Sequence, residues 1–393
     1  MGKKFCLLIA LLCLTSQTVM AIQFKDGDLE AGKVINLSQL LDKSELHFDT
    51  IFSNDWTGGR AGGNTNPHRA FIDYRVEGHL PLYNLAGNRG RLITRVQGLG
   101  FVDENIDDFV EDPLLDIPEL FWQNDKQLGD NDLRFVFGKF ANRRFFNKDE
   151  INPDPFDIGE MRFSGALANS LNLFNSINEF RDSDLRFSGS RQASGSYGFN
   201  FAIKNQAEQG LFSRWGFQQA LAVSQLDDFK SNFYGISELN KDWGRQKPGR
   251  LSMGLVYAND AVFRLANNDE NSYLFYSSLV QKLTDRLKFY FRYGTLFRNL
   301  NSGASNNNEY RLGFYYKWTD KIATHNWLGY FDNDVALAEE DERFHWVNVL
   351  TYKFNKNFFA NFAAVFRFNQ GNSAATGASD NNYTLATQLR VFM

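Results

Sequence analysis

Apolar and polar positions alternate with a period of two along most of this chain, and the alternation runs to its last residue. In residues 383–393, YTLATQLRVFM, one face carries Tyr383, Leu385, Thr387, Leu389, Val391 and Met393, and the other Thr384, Ala386, Gln388, Arg390 and Phe392. Successive side chains of a strand point to opposite sides, so the pattern predicts a strand with one apolar and one wet face. Its length, about ten residues, is what a tilted strand needs to cross a bilayer. Chain ends usually fray. An apolar face carried to the end therefore predicts that the last strand pairs with the first, since a sheet in lipid tolerates no free edge.

The same scheme recurs upstream. Tyr310, Leu312, Phe314, Tyr316 and Trp318 oppose Arg311, Gly313, Tyr315 and Lys317. Leu287, Phe289, Phe291 and Tyr293 oppose Lys288, Tyr290 and Arg292, and the even positions of 358–368 oppose Phe359, Asn361, Ala363, Val365 and Arg367. Earlier strands are read at 72–80, with Asp73, Arg75, Glu77 and His79 on the wet face, and at 133–138, with Arg134, Val136 and Gly138 there. Further strands are read at 197–204 and 251–258. Aromatic residues crowd the strand ends, as in girdles at two membrane interfaces.

Connections in the second half alternate in length. Residues 283–286, 319–322 and 355–356 read as tight turns; 297–308, 332–343 and 369–382 read as longer loops rich in Asn, Gly, Ser and acids. Short periplasmic turns and long external loops give this rhythm. The pattern offers about seventeen candidate strands where an even number is needed, so residues 184–189 are assigned to a connection and about sixteen remain, enough to leave an aqueous channel. A long excursion at 141–194 then follows the fifth strand on the external side. Connections of that length are usually functional, and part of this one is expected to fold inward and narrow the lumen. The fold class is thus all-β, a transmembrane antiparallel β-barrel with a long inward-folding external loop.

The amino terminus and composition fit export to a membrane. Lys3 and Lys4 precede an apolar run at 5–14, and Val19-Met20-Ala21 offers a cleavage site. The expected organisation is a signal peptide at 1–21, a periplasmic segment at 22–44 and the barrel at 45–393. Both cysteines, Cys6 and Cys13, fall in the leader, which leaves no disulfide or thiolate chemistry to the rest. Loss of the leader's two lysines takes the formal charge from −4 to −6, so nucleic acid is not expected as a partner. Aromatic residues make up 16%, 39 of them Phe, yet the mean hydropathy is −0.40. An aromatic-rich chain that is polar on average suits a barrel with a wet lumen better than a secreted sandwich or solenoid.

A succession of short motifs carries a family resemblance. DWTGGRAGG at 55–63 leads into strands and a VQG at 96–98; PELFWQND at 118–125 and LRFVFGKFANRRFFNKDEIN at 133–152 follow. In that order they resemble the carbohydrate-selective, OprB-type porins of bacterial outer membranes. Glu119, Gln123, Gly138, Lys139, Phe145, Phe146, Asn147 and Glu150 stand at the family's motif positions. The family's long pre-barrel helix is absent here, and Met393 stands where a terminal Phe is usual. The resemblance implies passive, sugar-preferring diffusion through a barrel of about sixteen strands, with the monomer favoured over the trimer.

The wet faces supply the candidate lining: Asp73, Arg75, Glu77, Arg95, Arg134, Tyr290, Arg292, Arg311, Tyr315, Arg367 and Arg390, together with Gln97, Lys288, Lys317 and Gln388. Guanidinium donors and carboxylate acceptors can satisfy sugar hydroxyls, and Tyr290 and Tyr315 could stack on a pyranose. Contacts in a conducting pore must be weak and repeated. Any wet barrel also lines itself with charge, so the alternative is a general or anion-leaning pore of the same fold. In the excursion, Arg143, Arg144, Lys148, Asp149 and Glu150 form a mixed-sign cluster, read as a constriction anchored by Phe145, Phe146 and Phe156 rather than as a solvated loop. A surface barrel acting as adhesin or hydrolase is the third reading, but none of the five histidines sits in a nucleophile, metal-ligand or protease motif. No enzyme activity, cofactor or metal is expected. The expected partners are carbohydrate solutes, outer-membrane lipid and the barrel assembly machinery.

Overall fold

The computed structural model describes residues 31–35, 43–59, 68–102, 114–140, 145–146, 196–211, 213–225, 231–244, 247–258, 272–300, 303–335, 339–370 and 382–392. Nearly all are strand. A two-residue β1 (Lys33–Val34) precedes β2 (Glu45–Gly59), β3 (His68–Leu85), β4 (Asn88–Val102), β5 (Leu114–Leu128) and β6 (Asn131–Phe140). The second group is β7 (Ser196–Asn205), β8 (Trp215–Gln225), β9 (Ser231–Trp243), β10 (Gly249–Ala258) and β11 (Ser272–Lys282). The last is β12 (Leu287–Leu300), β13 (Gly303–Lys317), β14 (Ile322–Val335), β15 (Glu339–Asn355), β16 (Phe358–Gln370) and β17 (Asn382–Phe392).

From β2 to β17 each strand pairs antiparallel with the next, and β17 closes on β2 from Asn382↔Gly59 to Phe392↔Asp49. The result is a closed barrel of sixteen staves, as the parity of the connections predicts. Closure leaves no row of unpaired backbone groups facing lipid, which is the condition for a sheet to cross a membrane. Met393 lies outside the described residues. β1 adds no stave. The β2–β3 ladder begins at Glu45↔His79, and β1 continues that row with Lys33↔Asn84 and Val34↔Tyr83.

Side chains divide by parity. On β17, Thr384, Ala386, Gln388 and Arg390 are buried, and Tyr383 and Leu385 are exposed. The same division holds on β13, where Leu312 and Phe314 are exposed and Arg311 and Tyr315 buried. Exposed Phe137, Phe199, Leu255, Phe291, Leu328, Trp346 and Phe362 extend the apolar exterior round the barrel, far beyond what a water-soluble surface carries. Aromatic rows border it. At one end Tyr293, Tyr310, Tyr330 and Phe344 are register neighbours with centroids 5.0, 6.2 and 4.8 Å apart. At the other, Tyr316 meets Trp318 at 4.6 Å and Phe354 meets Phe358 at 4.5 Å.

One rim carries the tight turns. Ala86-Gly87, with φ of +48° and +77°, is a two-residue hairpin of the type whose twist matches paired strands. Residues 283–286, 318–321 and 356–357 turn at the same rim, within a residue of the expected positions. The other rim differs from expectation. The loops read at 297–308 and 332–343 are mostly strand: the β12–β13 ladder runs to Leu300↔Gly303 and the β14–β15 ladder to Val335↔Glu339. Beyond the bilayer both faces of a hairpin meet water, so the alternation fades while backbone pairing persists.

The excursion follows the fifth barrel strand, as expected, because β6 pairs directly with β7 through Phe140↔Ser196. Within it, Phe145 and Phe146 are 8% and 5% exposed and join an inward cluster with Phe121 and Phe140. Phe145 meets their rings edge-on at 5.8 and 5.5 Å. The chain therefore re-enters the barrel after β6. Arg143, Arg144, Lys148, Asp149, Glu150 and Phe156, and the rejected strand at 184–189, lie outside the described residues.

Candidate functional site

The inner wall is built in two arcs. From β14 to β17 its middle is apolar: Trp327, Val347, Val349, Ala363, Val365 and Ala386 are buried there as one cluster. From β4 to β11 a second apolar belt, including Ile93, Val136, Ala220, Ile236 and Leu274, underlies Phe145 and Phe146. Polar side chains occupy the rows on either side.

Most of the arginines expected to line the lumen face inward and are tied to neighbours. Arg390 Nε donates to Asp49 Oδ1 at 2.9 Å across the closing seam. Arg95 donates to Glu77 Oε2 through Nε at 3.0 Å and NH2 at 2.7 Å, and its Nε lies 3.1 Å from Glu119 Oε2. Glu119 has no exposed surface, and Arg95 supplies a counter-charge to that carboxylate. Arg292 and Arg311 stand directly opposite each other on β12 and β13. Like charges so placed repel. Here Arg311 binds Glu309 at 3.0 Å and stacks 3.9 Å from the Trp327 ring, while Arg292 lies 5.4 Å from that of Tyr276. Both rings offer their negative faces to a cation. Arg75 is buried on the same side; Asp73 and Arg367 stand opposite Ile51 and His345 in their ladders.

Tyr290 and Tyr315 also point inward, but the structure does not present them as stacking platforms. They are 6% and 3% exposed. Tyr290 lies over Gly313, where an added Cβ would sit 2.2 Å from the ring, and its hydroxyl is 2.7 Å from His325 Nε2. A cross-strand glycine leaves a gap in the wall, and the opposing aromatic ring fills it. Alternation gives the direction of a side chain but not this lateral collapse.

The open chemistry lies instead between β5 and β10, toward the tight-turn rim, where a cavity of about 760 Å³ is bounded on one side by Phe145. Its charges are mixed: Arg134, Lys204 and Arg250 with Asp125, Asp132 and Asp242. Arg134 Nε donates to Asp125 Oδ1 at 2.7 Å. Asp242 takes Nε and NH2 of Arg250 at 2.6 and 3.1 Å, with Lys204 Nζ 3.3 Å away. Gln218 and Asn240 add amides, with Asn240 donating to Glu238 at 2.9 Å. Unlike the buried arginines, Arg134 and Lys204 keep 42% and 44% of their side-chain surface exposed. This size falls within the roughly 300–1,000 Å³ usual for small-molecule sites. Of this group Arg134 is legible as lining, and Lys204 falls on the wet face of the strand read at 197–204. Lys204, Arg250 and Asp242 sit near strand ends, where the alternation is weakest, and only the ladder brings them together.

No protein-family model matches the chain, and no curated protein sequence matches it. Solved structures do. Pseudomonas putida OprB aligns with a TM-score of 0.61 at 11% identity, covering 91% of this chain and 96% of that one. Salmonella typhi OmpF, solved with daunomycin, aligns at 0.59 and 11% identity over 92% and 100%. The outer membrane channel DcaP of Acinetobacter baumannii aligns at 0.54 and 8% identity over 89% and 97%. At such identities the likeness is one of fold, that of the sixteen-stranded outer-membrane barrels.

Proposed function

We propose that the chain is a passive diffusion channel of a bacterial outer membrane and that mono- and disaccharides are its favoured solutes. The observation that carries this reading is the cavity beside Arg134 and Asp242, which offers paired donors and acceptors to water inside a barrel with an apolar exterior. A sugar presents hydroxyls that both donate and accept, so neutral pairs of guanidinium and carboxylate suit it better than a single-sign lining would. The motifs that resemble the OprB-type porins support the same choice. Among the described residues, pairing of Arg95, Arg250, Arg311 and Arg390 with acids weighs against the anion-leaning alternative, because each of these cations is offset locally.

In this reading the tight-turn rim faces the periplasm and the excursion enters from outside. Arg143, Arg144, Lys148, Asp149 and Glu150 then narrow the lumen beside Phe145 and Phe146. Residues 1–21 are the leader, the assembly machinery inserts the barrel, and the protein works as a monomer, with a trimer the alternative that cross-linking in native membranes would reveal. Reconstitution in liposomes provides the test. Swelling in isotonic mono- or disaccharide should be faster than in a charged solute of similar size, and Asp242→Asn, which leaves Arg250 and Lys204 without their shared acid, should shift that preference toward anions. Equal swelling rates in both solutes would reduce the reading to a general pore.

A further inference from the structure

We infer that Glu45, His47 and His79 form a binding site for a divalent transition-metal ion of the Zn²⁺ type at the tight-turn mouth of the barrel, with Glu77 orienting one ligand. Two Glu-x-His pairs, Glu45-Leu46-His47 on β2 and Glu77-Gly78-His79 on β3, run antiparallel. The ladder sets Glu45 opposite His79 and His47 opposite Glu77. All four side chains fall on the inward face, since they share the parity of buried Ile51 while Leu46 and Phe48 are exposed. Neither pair is a metal motif alone, and they lie on separate strands, so the sequence shows no ligand spacing.

The geometry is that of a ligand set rather than of simple ion pairs. His79 Nδ1 and His47 Nε2 lie 3.7 and 3.6 Å from Glu45 Oε2, too far for hydrogen bonds. Two donors each roughly 2.1 Å from one tetrahedral ion stand about 3.4 Å apart, which is close to these separations. One ligand atom from each of the three residues lies within 4.8 Å of the others. The other ring nitrogen of His79, Nε2, is 2.5 Å from Glu77 Oε1, and Arg95 holds Oε2 of the same carboxylate at 2.7 Å. A carboxylate on the distal nitrogen is the usual device that fixes a metal-binding imidazole. Accepting from Nε2–H, the carboxylate favours the tautomer that leaves the Nδ1 lone pair for the ion.

Two imidazoles and one carboxylate suit Zn²⁺ better than Ca²⁺ or Mg²⁺, which prefer all-oxygen shells. The inward neighbours do not oppose a cation: carboxylates Glu45, Glu77, Asp49 and Glu119 face Arg75, Arg95 and Arg390, and Arg95 and Arg390 are ion-paired. Three protein ligands leave a fourth position for water, as in open zinc sites.

Titration calorimetry of the purified full chain in detergent, with Zn²⁺ alone as probe at about pH 7.5, tests the inference. One ion should bind per chain. His47→Ala and His79→Ala should each weaken binding at least tenfold and Glu77→Gln about tenfold, whereas His345→Ala, at another inward histidine on β15, should leave it unchanged. His47 is half exposed, so its replacement leaves the fold intact. Unchanged affinity in the double His47→Ala, His79→Ala variant would overturn the inference, as would displacement of Zn²⁺ by equimolar Mg²⁺. Binding is read without any transport, so the result stands apart from the choice of solute.

Discussion

Gly138 shows how much a single position can be asked to satisfy. On alternation alone it is an inward residue of β6. In the fold its φ is +134°, and an added Cβ would fall 2.6 Å from the Leu120 carbonyl oxygen and 2.8 Å from Phe121 Cα. Both obstacles are backbone, so the strands must part to admit a side chain. Gly138→Ala should cost on the order of 1–3 kcal/mol, seen as a lower temperature for the heat-induced gel shift; an unshifted transition would show that the ladder yields there. Arg95 is a different kind of commitment. It is the shared counter-charge of Glu77 and the fully buried Glu119. Removing one member of a buried pair costs about 3–5 kcal/mol, so Arg95→Met should lower the urea midpoint well below that of Arg134→Met, whose partner Asp125 stays hydrated. Equal effects would contradict the distinction between wall and cavity arginines. That distinction was not legible in the sequence: inward direction follows from parity, but whether a guanidinium meets water or a carboxylate depends on the strand next door.

At the scale of the element, strands are the legible unit and their ends are not. A barrel strand in lipid must alternate, so the midspans of β12, β13, β16 and β17 can be read residue by residue. Past the apolar band nothing enforces alternation, and the stretches at 297–308 and 332–343 read as loops although their described residues are paired strand. β1 leaves no mark in the pattern because two residues carry no period; it exists because β3 extends past the start of β2. The tight turns are chemically explicit. Asp320 and Asp285 each stand three residues after a lysine, Lys317 and Lys282, at 3.0 and 2.9 Å. Hydrogen bonding to Lys317, then its charge, holds the Asp320 carboxyl below its ordinary 3.8. A depressed carboxylate contributes stability above its unfolded value and loses it as pH falls through the lowered one. These side chains are fully solvated, so the contribution is small and screened by salt. Lys317→Ala should return Asp320 toward its ordinary value in a carbon-detected NMR titration; an unmoved midpoint would show that the pair does not persist in solution.

At the scale of the whole molecule, closure organises everything else. An apolar face carried to the chain end required a partner for the last strand, and β2 supplies it over eleven register pairs from Asn382↔Gly59 to Phe392↔Asp49. Parity then located the excursion after the fifth stave, and Phe145 and Phe146 enter the barrel there. The position of the open site was less accessible. It depends on which inward charges are left hydrated after the wall has collapsed onto itself through Tyr290, Tyr315, Arg292 and Arg311, and collapse of that kind is a property of sixteen strands together. The most direct test of a wet, solute-conducting lumen is ion current through single molecules in a planar bilayer. Purified, heat-modifiable protein should insert in discrete conductance steps, and millimolar disaccharide should reduce each step reversibly, less so in Arg134→Ala. Folded protein that inserts and passes no current would contradict the account.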